Sequence, residues 1–252
     1  MMSIIDDLLA DLPGDAAVDE VRVGAFWTVV STARGAGMAS TLRDAHAPNG
    51  HGLIRWAGSL TEHSALELAQ LLRCEGPMEA SLGMAAVNAL VDSGGHEMTN
   101  RNAVDEIIRR GRSKRVAIIG HFPFIPRVRE AVRHLDVLEI DPDEGELPTD
   151  SAGEVLPGAD VVAITGTSLV NKTFGGLVKL CRPDAFVCVI GPTTPLSRVL
   201  FDYGVDLIAG TRVIDPKLAV LLAGQGAIFS QMRGVRLMVM ERNLIQAKGG
   251  RT

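Results

Sequence analysis

The residues with most chemistry to offer fall in a set of short loops, each following an apolar run. One carries Gly120-His121-Phe122-Pro123-Phe124-Ile125-Pro126, another Asp141-Pro142 just after Glu139, and a third Thr165-Gly166-Thr167-Ser168-Leu169-Val170-Asn171. Gly191-Pro192-Thr193-Thr194-Pro195 and Gly210-Thr211 complete the set. His121 with Glu139 or Asp141 offers an imidazole and a carboxylate, a donor pair suited to zinc, iron or nickel. The same imidazole could act as a general base, or simply hydrogen-bond to a neighbouring carbonyl. In the third loop Thr165, Thr167 and Ser168 supply hydroxyls, Gly166 a tight turn and Asn171 an amide near the next helix. Together they read as a cradle for an anion or another polar ligand. Helix capping by Thr167 or Ser168 would occupy one of those hydroxyls, not all three.

What the first loop lacks is equally informative. Dinucleotide binding needs a Gly-x-Gly-x-x-Gly turn so that bare backbone N–H groups can approach a pyrophosphate. Here two phenylalanines block that approach and two prolines remove donors. Glu139 or Asp141 does lie about twenty residues on, where a ribose-binding carboxylate would sit. Without the glycines, classical NAD or FAD binding is not expected. No Walker loop, nucleophile elbow or HExxH occurs, so no motif fixes a reaction. His46 and His51 could join a metal site or stand as surface histidines; Met38, Met78 and Met84 read as core.

These loops need a frame. The apolar runs 116–120, 137–140, 161–165, 185–190 and 206–210 alternate with helical segments, and 236–240 suggests a further strand at an edge. Continuous apolar strands in that rhythm predict a doubly wound, mostly parallel α/β sheet, whose ligands bind beyond the carboxyl ends of the strands. The region before it reads differently: a helix at 3–11, strands at 21–30 and 35–42, and two helices. The first of these opens with the capping box Ser64-Ala65-Leu66-Glu67, and the second has Pro77 in its first turn. This predicts an α+β domain over residues 1–100 and an α/β domain over 101–252, with the basic stretch 109–115 as a solvated linker.

Composition narrows the partners. A net charge of −5, no long basic block and 4% aromatic residues argue against nucleic acid, which calls for a cationic stripe or stacking rings. The three cysteines, Cys74, Cys181 and Cys188, form no CxxC pair, which points to a reducing cytoplasm and away from a cysteine zinc site. No apolar run approaches a membrane span, and the N-terminal helix is too acidic for a signal peptide.

Several runs together carry a family likeness. They are Gly37-Met38-Ala39-Ser40-Thr41, residues 81–89, Gly120-His121-Phe122-Pro123-Phe124, residues 165–171, Gly191-Pro192-Thr193-Thr194-Pro195-Leu196, and Gly204-Val205-Asp206 with Ala209-Gly210. In this order, over roughly residues 10–235, the chain resembles the putative heavy-metal chelation family. That family joins an enolase N-terminal-like domain to a Rossmann-like domain. The resemblance implies a ligand site between the two domains, and admits a homo-oligomer. It carries over His121, Phe122, Thr165, Gly166, Thr167, Asn171, Gly191, Pro192 and Thr193 as ligand-binding candidates, with Asn88 from the N-terminal side. It implies a transition metal or a metal chelate as ligand. The enolase-like half does not bring enolase chemistry, because the barrel that holds enolase's magnesium carboxylates is missing. The readings left open are a metal or chelate binder, an enzyme acting on a nucleotide-like or amino-acid-like molecule without metal, and a non-catalytic carrier. The shortage of thiolates argues against a soft-metal sponge.

Overall fold

A computed structural model of the chain describes residues 3–43, 54–91 and 98–242, so His46 and His51 lie outside the described residues. The N-terminal half opens with helix α1 (Ile4–Ala10), started by a Ser3/Asp6 capping box. A three-stranded antiparallel sheet follows, β1 (Val18–Val23), β2 (Trp27–Thr32) and β3 (Gly35–Ser40). Helices α2 (Ala65–Ala69), capped by the Ser64/Glu67 box, and α3 (Pro77–Leu90) pack beside it. The predicted single strand over 21–30 is in fact two, broken by a turn that the Gly24 N–H closes onto the Trp27 carbonyl.

β3 reads Gly-Ala-Gly-Met-Ala-Ser, and its small residues let α3 come close. A Cβ on Gly37 would lie 2.1 Å from the backbone nitrogen of Ala89. The opposite face of this sheet is covered from the C-terminal half. Trp27, Val29 and Met38 pack with Ala219, Val220 and Ala223 of helix α10 (Pro216–Gly224).

The C-terminal half is the predicted α/β sheet. Its strands are β4 (Arg115–Ile119), β5 (His134–Glu139), β6 (Leu147–Pro148), β7 (Val161–Thr165), β8 (Phe186–Ile190), β9 (Leu207–Val213) and β10 (Val235–Glu241). They are arranged β10-β9-β8-β7-β4-β5-β6, all parallel except β10, which runs antiparallel at the edge. The chain leaves β4 in both directions, first to β5 and later to β7, which creates the crevice where such sheets bind ligands. The two-residue β6 was not anticipated; a strand that short gives no periodic signal.

The connecting helices are α4 (Ala103–Gly111), α5 (Ile125–Ala131), α6 (Ala152–Val155), α7 (Thr167–Val170), α8 (Phe174–Leu180) and α9 (Val199–Asp202). The basic stretch proves not to be a solvated linker. Arg109 and Arg110 belong to the last turn of α4, where both meet Glu106, and the Arg110 guanidinium lies 3.9 Å over the Phe186 ring. One buried cluster runs through both halves, joining Leu72 and Met84 to Val162, Ile164 and Phe174. Among the described residues no helix is long and apolar enough to cross a membrane.

Candidate functional site

A cavity of about 1210 Å³ opens at the carboxyl ends of β4, β7 and β8 and reaches the N-terminal half through Trp27 and Ser40. His121, Phe122, Glu139, Thr165, Thr167, Asn171, Gly191, Pro192 and Thr193 all line it. Gly166, Asp141 and Asn88 do not.

Two left-handed glycines shape the floor. Gly120 (φ 110°) ends β4 and Gly191 (φ 117°) ends β8, a conformation that favours glycine. A Cβ on Gly120 would also press against Thr165 and the Phe122 ring. The ring stacks on Phe124, centroids 4.9 Å apart and planes 17° apart, so the loop after β4 presents a flat apolar wall. Gly166 serves a different purpose. A Cβ there would stand 2.4 Å from Thr194 Oγ1 and 2.6 Å from the Thr194 backbone nitrogen, so its absence lets two loops touch.

The hydroxyls of the third loop are largely occupied by one another. Thr165 Oγ1 and Thr167 Oγ1 share a proton at 2.9 Å, and the buried Ser168 Oγ donates to the Thr165 carbonyl at 2.6 Å. Neither Thr167 nor Ser168 caps a helix, since the N-cap of α7 is Gly166 and no side chain caps it. Two hydroxyls joined by one bond still leave one proton for a ligand. Asn171 Oδ1 accepts from the N–H and the hydroxyl of Thr173, leaving its amide N–H groups as the donors it can offer.

Thr193 and Asn88 hold the halves together. Thr193 Oγ1 accepts the Ser40 N–H at 2.9 Å and donates to Ser40 Oγ at 3.0 Å. Asn88 Nδ2 donates to the carbonyls of Met38 at 2.8 Å and Thr193 at 3.1 Å. Trp27, which lines the cavity beside Phe229, is buried with no partner for its indole N–H. An unpaired buried donor of this kind is costly unless something else accepts from it.

At the mouth, His121 meets carboxylates other than Glu139 and Asp141. Its Nδ1 lies 3.2 Å from Glu146 Oε1 and 3.8 Å from Asp143 Oδ2. Glu146 is fixed from behind, because its Oε2 accepts the Asp143 N–H at 3.1 Å. Donor atoms of the three residues all fall within 4.8 Å of one another, close enough for one metal ion to reach all three. Sequence reasoning passed over Asp143 and Glu146. Their only mark is the acid-rich run Asp141-Pro142-Asp143-Glu144-Gly145-Glu146, which reads equally well as a solvated loop. It also passed over Trp27 and Ser40, apolar and small residues on strands whose meeting with the second sheet is a tertiary fact.

Thiolate chemistry belongs elsewhere. Burial pushes the Cys181 thiol up to about 11 and Cys188 higher still. Cys74 is also raised, by burial first and then by its hydrogen bond with Glu79. None of the three lines the cavity.

Two family models match the chain, both described as putative heavy-metal chelation: DUF4213 over residues 5–91 and DUF364 over residues 102–241. A crystal structure of a DUF364 protein from Desulfitobacterium hafniense superimposes with a TM-score of 0.84 at 26% identity, covering 95% of this chain and 98% of that one. A second, from Pyrococcus horikoshii, gives 0.77 at 20% identity over 94% and 98%, a likeness of fold. Protein MJ0500 of Methanocaldococcus jannaschii is 28% identical over 151 residues, 57% of this chain and 58% of that protein's length.

Proposed function

Because the chain belongs to the putative heavy-metal chelation family, we propose that it binds a metal chelate: a small organic molecule in the cavity and a divalent cation at its mouth. The observation that carries this reading is the group His121, Asp143 and Glu146, whose donor atoms come within 4.8 Å of one another; His121 lines the cavity, and the two carboxylates stand beside it outside the lining. The donor set fits the chemistry. One imidazole and two carboxylates suit zinc, iron(II) or nickel, whereas soft cations would call for thiolates, and the three cysteines lie outside the cavity with their thiols held protonated by burial. Glu139 also lines the cavity and is available to the same ion's organic partner.

The organic part would lie against the stacked Phe122 and Phe124 rings, within reach of the remaining Thr165/Thr167 proton and the Asn171 amide. Apolar walls with a few placed polar groups are the usual make-up of a small-molecule site. In this reading residues 1–100 and 101–252 are two domains that share one site, since Trp27 and Ser40 come from the first.

Calorimetric titration of the purified chain with zinc tests the reading. One ion per chain is expected, with affinity falling at least about a hundredfold in His121→Ala and in Glu146→Gln. The melting temperature of His121→Ala should stay within about 1 °C of the parent, as surface changes away from packed features cost little. Equal zinc affinity in a folded His121→Ala variant would overturn the assignment.

A further inference from the structure

A second cavity, of about 370 Å³, lies where the β2–β3 turn, the end of α3 and strand β9 meet. Its polar lining comes from Arg34, Asn88, Thr211 and Arg212. Arg34 stands on the N-terminal half and Arg212 on the C-terminal half. Several arginines elsewhere find carboxylates, as Arg55 meets Glu79, Arg73 meets Asp6, Arg127 meets Asp105 and Arg182 meets Asp160, and the surface arginines without one, such as Arg129 and Arg198, line neither cavity. Among the described residues neither Arg34 nor Arg212 pairs with one. In a chain of net charge −5, two guanidinium groups at one small cavity, neither paired with a carboxylate among the described residues, are a local feature and not the overspill of a basic protein.

Two further atoms in the same wall lack partners among the described residues. Thr211 is 8% exposed and its Oγ1 makes no hydrogen bond. Asn88 uses its Nδ2 on the Met38 and Thr193 carbonyls, which leaves Oδ1 buried with nothing to accept from. The cavity therefore presents two cations, one hydroxyl able to donate or accept, and one pure acceptor. A simple anion satisfies the arginines and leaves Asn88 unmet. An oxyanion that keeps a proton satisfies both.

We propose that this second cavity is a hydrogen-phosphate site, for the free ion or a phosphate ester, bridging Arg34 and Arg212 with its O–H turned to Asn88. Guanidinium groups bind such oxygens through paired, charge-assisted hydrogen bonds. Because the arginines come from opposite halves, the bound anion also ties the two sheets together, and binding should raise the melting temperature.

The test titrates the full chain with inorganic phosphate, sulfate and chloride at one ionic strength, followed by calorimetry and thermal melts. Phosphate should bind once per chain and raise the melting temperature above the chloride value, with sulfate weaker. Arg212→Gln, an exposed change that leaves the fold intact, should weaken phosphate at least about tenfold, as loss of one charge-assisted bond implies. Arg34→Gln should do the same. His121→Ala should bind phosphate like the parent, so the outcome is independent of the cation site. Methyl phosphate separates the sources: binding at least as tight as phosphate assigns an ester, weaker binding the free ion. A phosphate response no larger than that of chloride, or one unchanged in Arg212→Gln, would overturn the site. Sulfate binding as tightly as phosphate would overturn the protonated-anion assignment.

Discussion

At the seam between the halves, Thr193 is 1% exposed and both accepts from and donates to Ser40, while Asn88 clasps two carbonyls. At the mouth of the cavity, His121 keeps 57% of its side chain exposed and faces two carboxylates in place of a closed network. Both regions are rich in polar atoms, yet at the seam most are satisfied within the chain, Asn88 Oδ1 apart, while the mouth leaves its imidazole and carboxylates open to a ligand. The loop after β7 lies between these extremes, with hydroxyls paired to each other and one proton left over. A count of polar side chains thus overstates a site until those already satisfied within the chain are subtracted. Buried, mutually bonded groups should govern stability, and exposed ones binding.

The sharpest way to break this contrast is to force the seam apart. Gly24 sits in the β1–β2 turn, where an added Cβ would lie 2.1 Å from the Ala223 carbonyl oxygen of α10. Gly24→Ala should destabilise by about 3 kcal/mol, since overpacking against backbone cannot relax by rotamer change. The melting temperature should fall by roughly 6–12 °C on that estimate. Gly176→Ala in α8, where an added Cβ meets nothing within 4 Å, serves as the control and should be neutral or stabilising. A fall no larger than the control's would mean that α10 does not hold the N-terminal sheet. The next effect down is Thr193→Val, which keeps the shape but strands the Ser40 N–H and hydroxyl. About 1–3 kcal/mol should be lost in urea unfolding. A loss below about 0.5 kcal/mol would reduce the clasp to a bystander.

The architecture was readable because the strands of the α/β half are continuous apolar runs punctuated by polar loops. That pattern identifies a parallel sheet and puts the loops at its carboxyl ends. The Ser64/Glu67 box and Pro77 marked α2 and α3 because their capping rules are local. Pairings between distant segments were not readable. Asn88 meets Met38 fifty residues away and Thr193 more than a hundred away, so nothing in its neighbourhood shows that its amide is a clasp. Glu146 finds His121 only through the pairing of β4 with β5. Arg109 to Arg115 looked like a linker because a run of charge masks the apolar stripe of Val104 and Ile107 behind it.

Glu106 tests whether the contrast is a gradient. Its side chain is 17% exposed, between Thr193 and His121, and Arg109 Nε donates to it at 2.8 Å with Arg110 on the same carboxylate. The hydrogen bond from Arg109, aided by Arg110 and opposed by partial burial, holds its carboxyl down at about 2 instead of 4.5. A carboxyl whose folded value is depressed adds stability above its unfolded value, and loses it as pH falls through the folded one. Glu106 should therefore contribute in full above about pH 4.5, fade between about 4.5 and 2, and contribute nothing below. With both arginines partly in solvent, its contribution at neutral pH should be about 1–2 kcal/mol. Urea midpoints of the parent and Glu106→Gln, measured from pH 7 down to 2, should differ by that amount at neutral pH and converge in acid. A constant gap at every pH would assign the effect to a shift of Arg110 from its place over Phe186, because lost packing does not titrate. No gap at neutral pH would place Glu106 with the mouth, among polar groups that do not hold the fold.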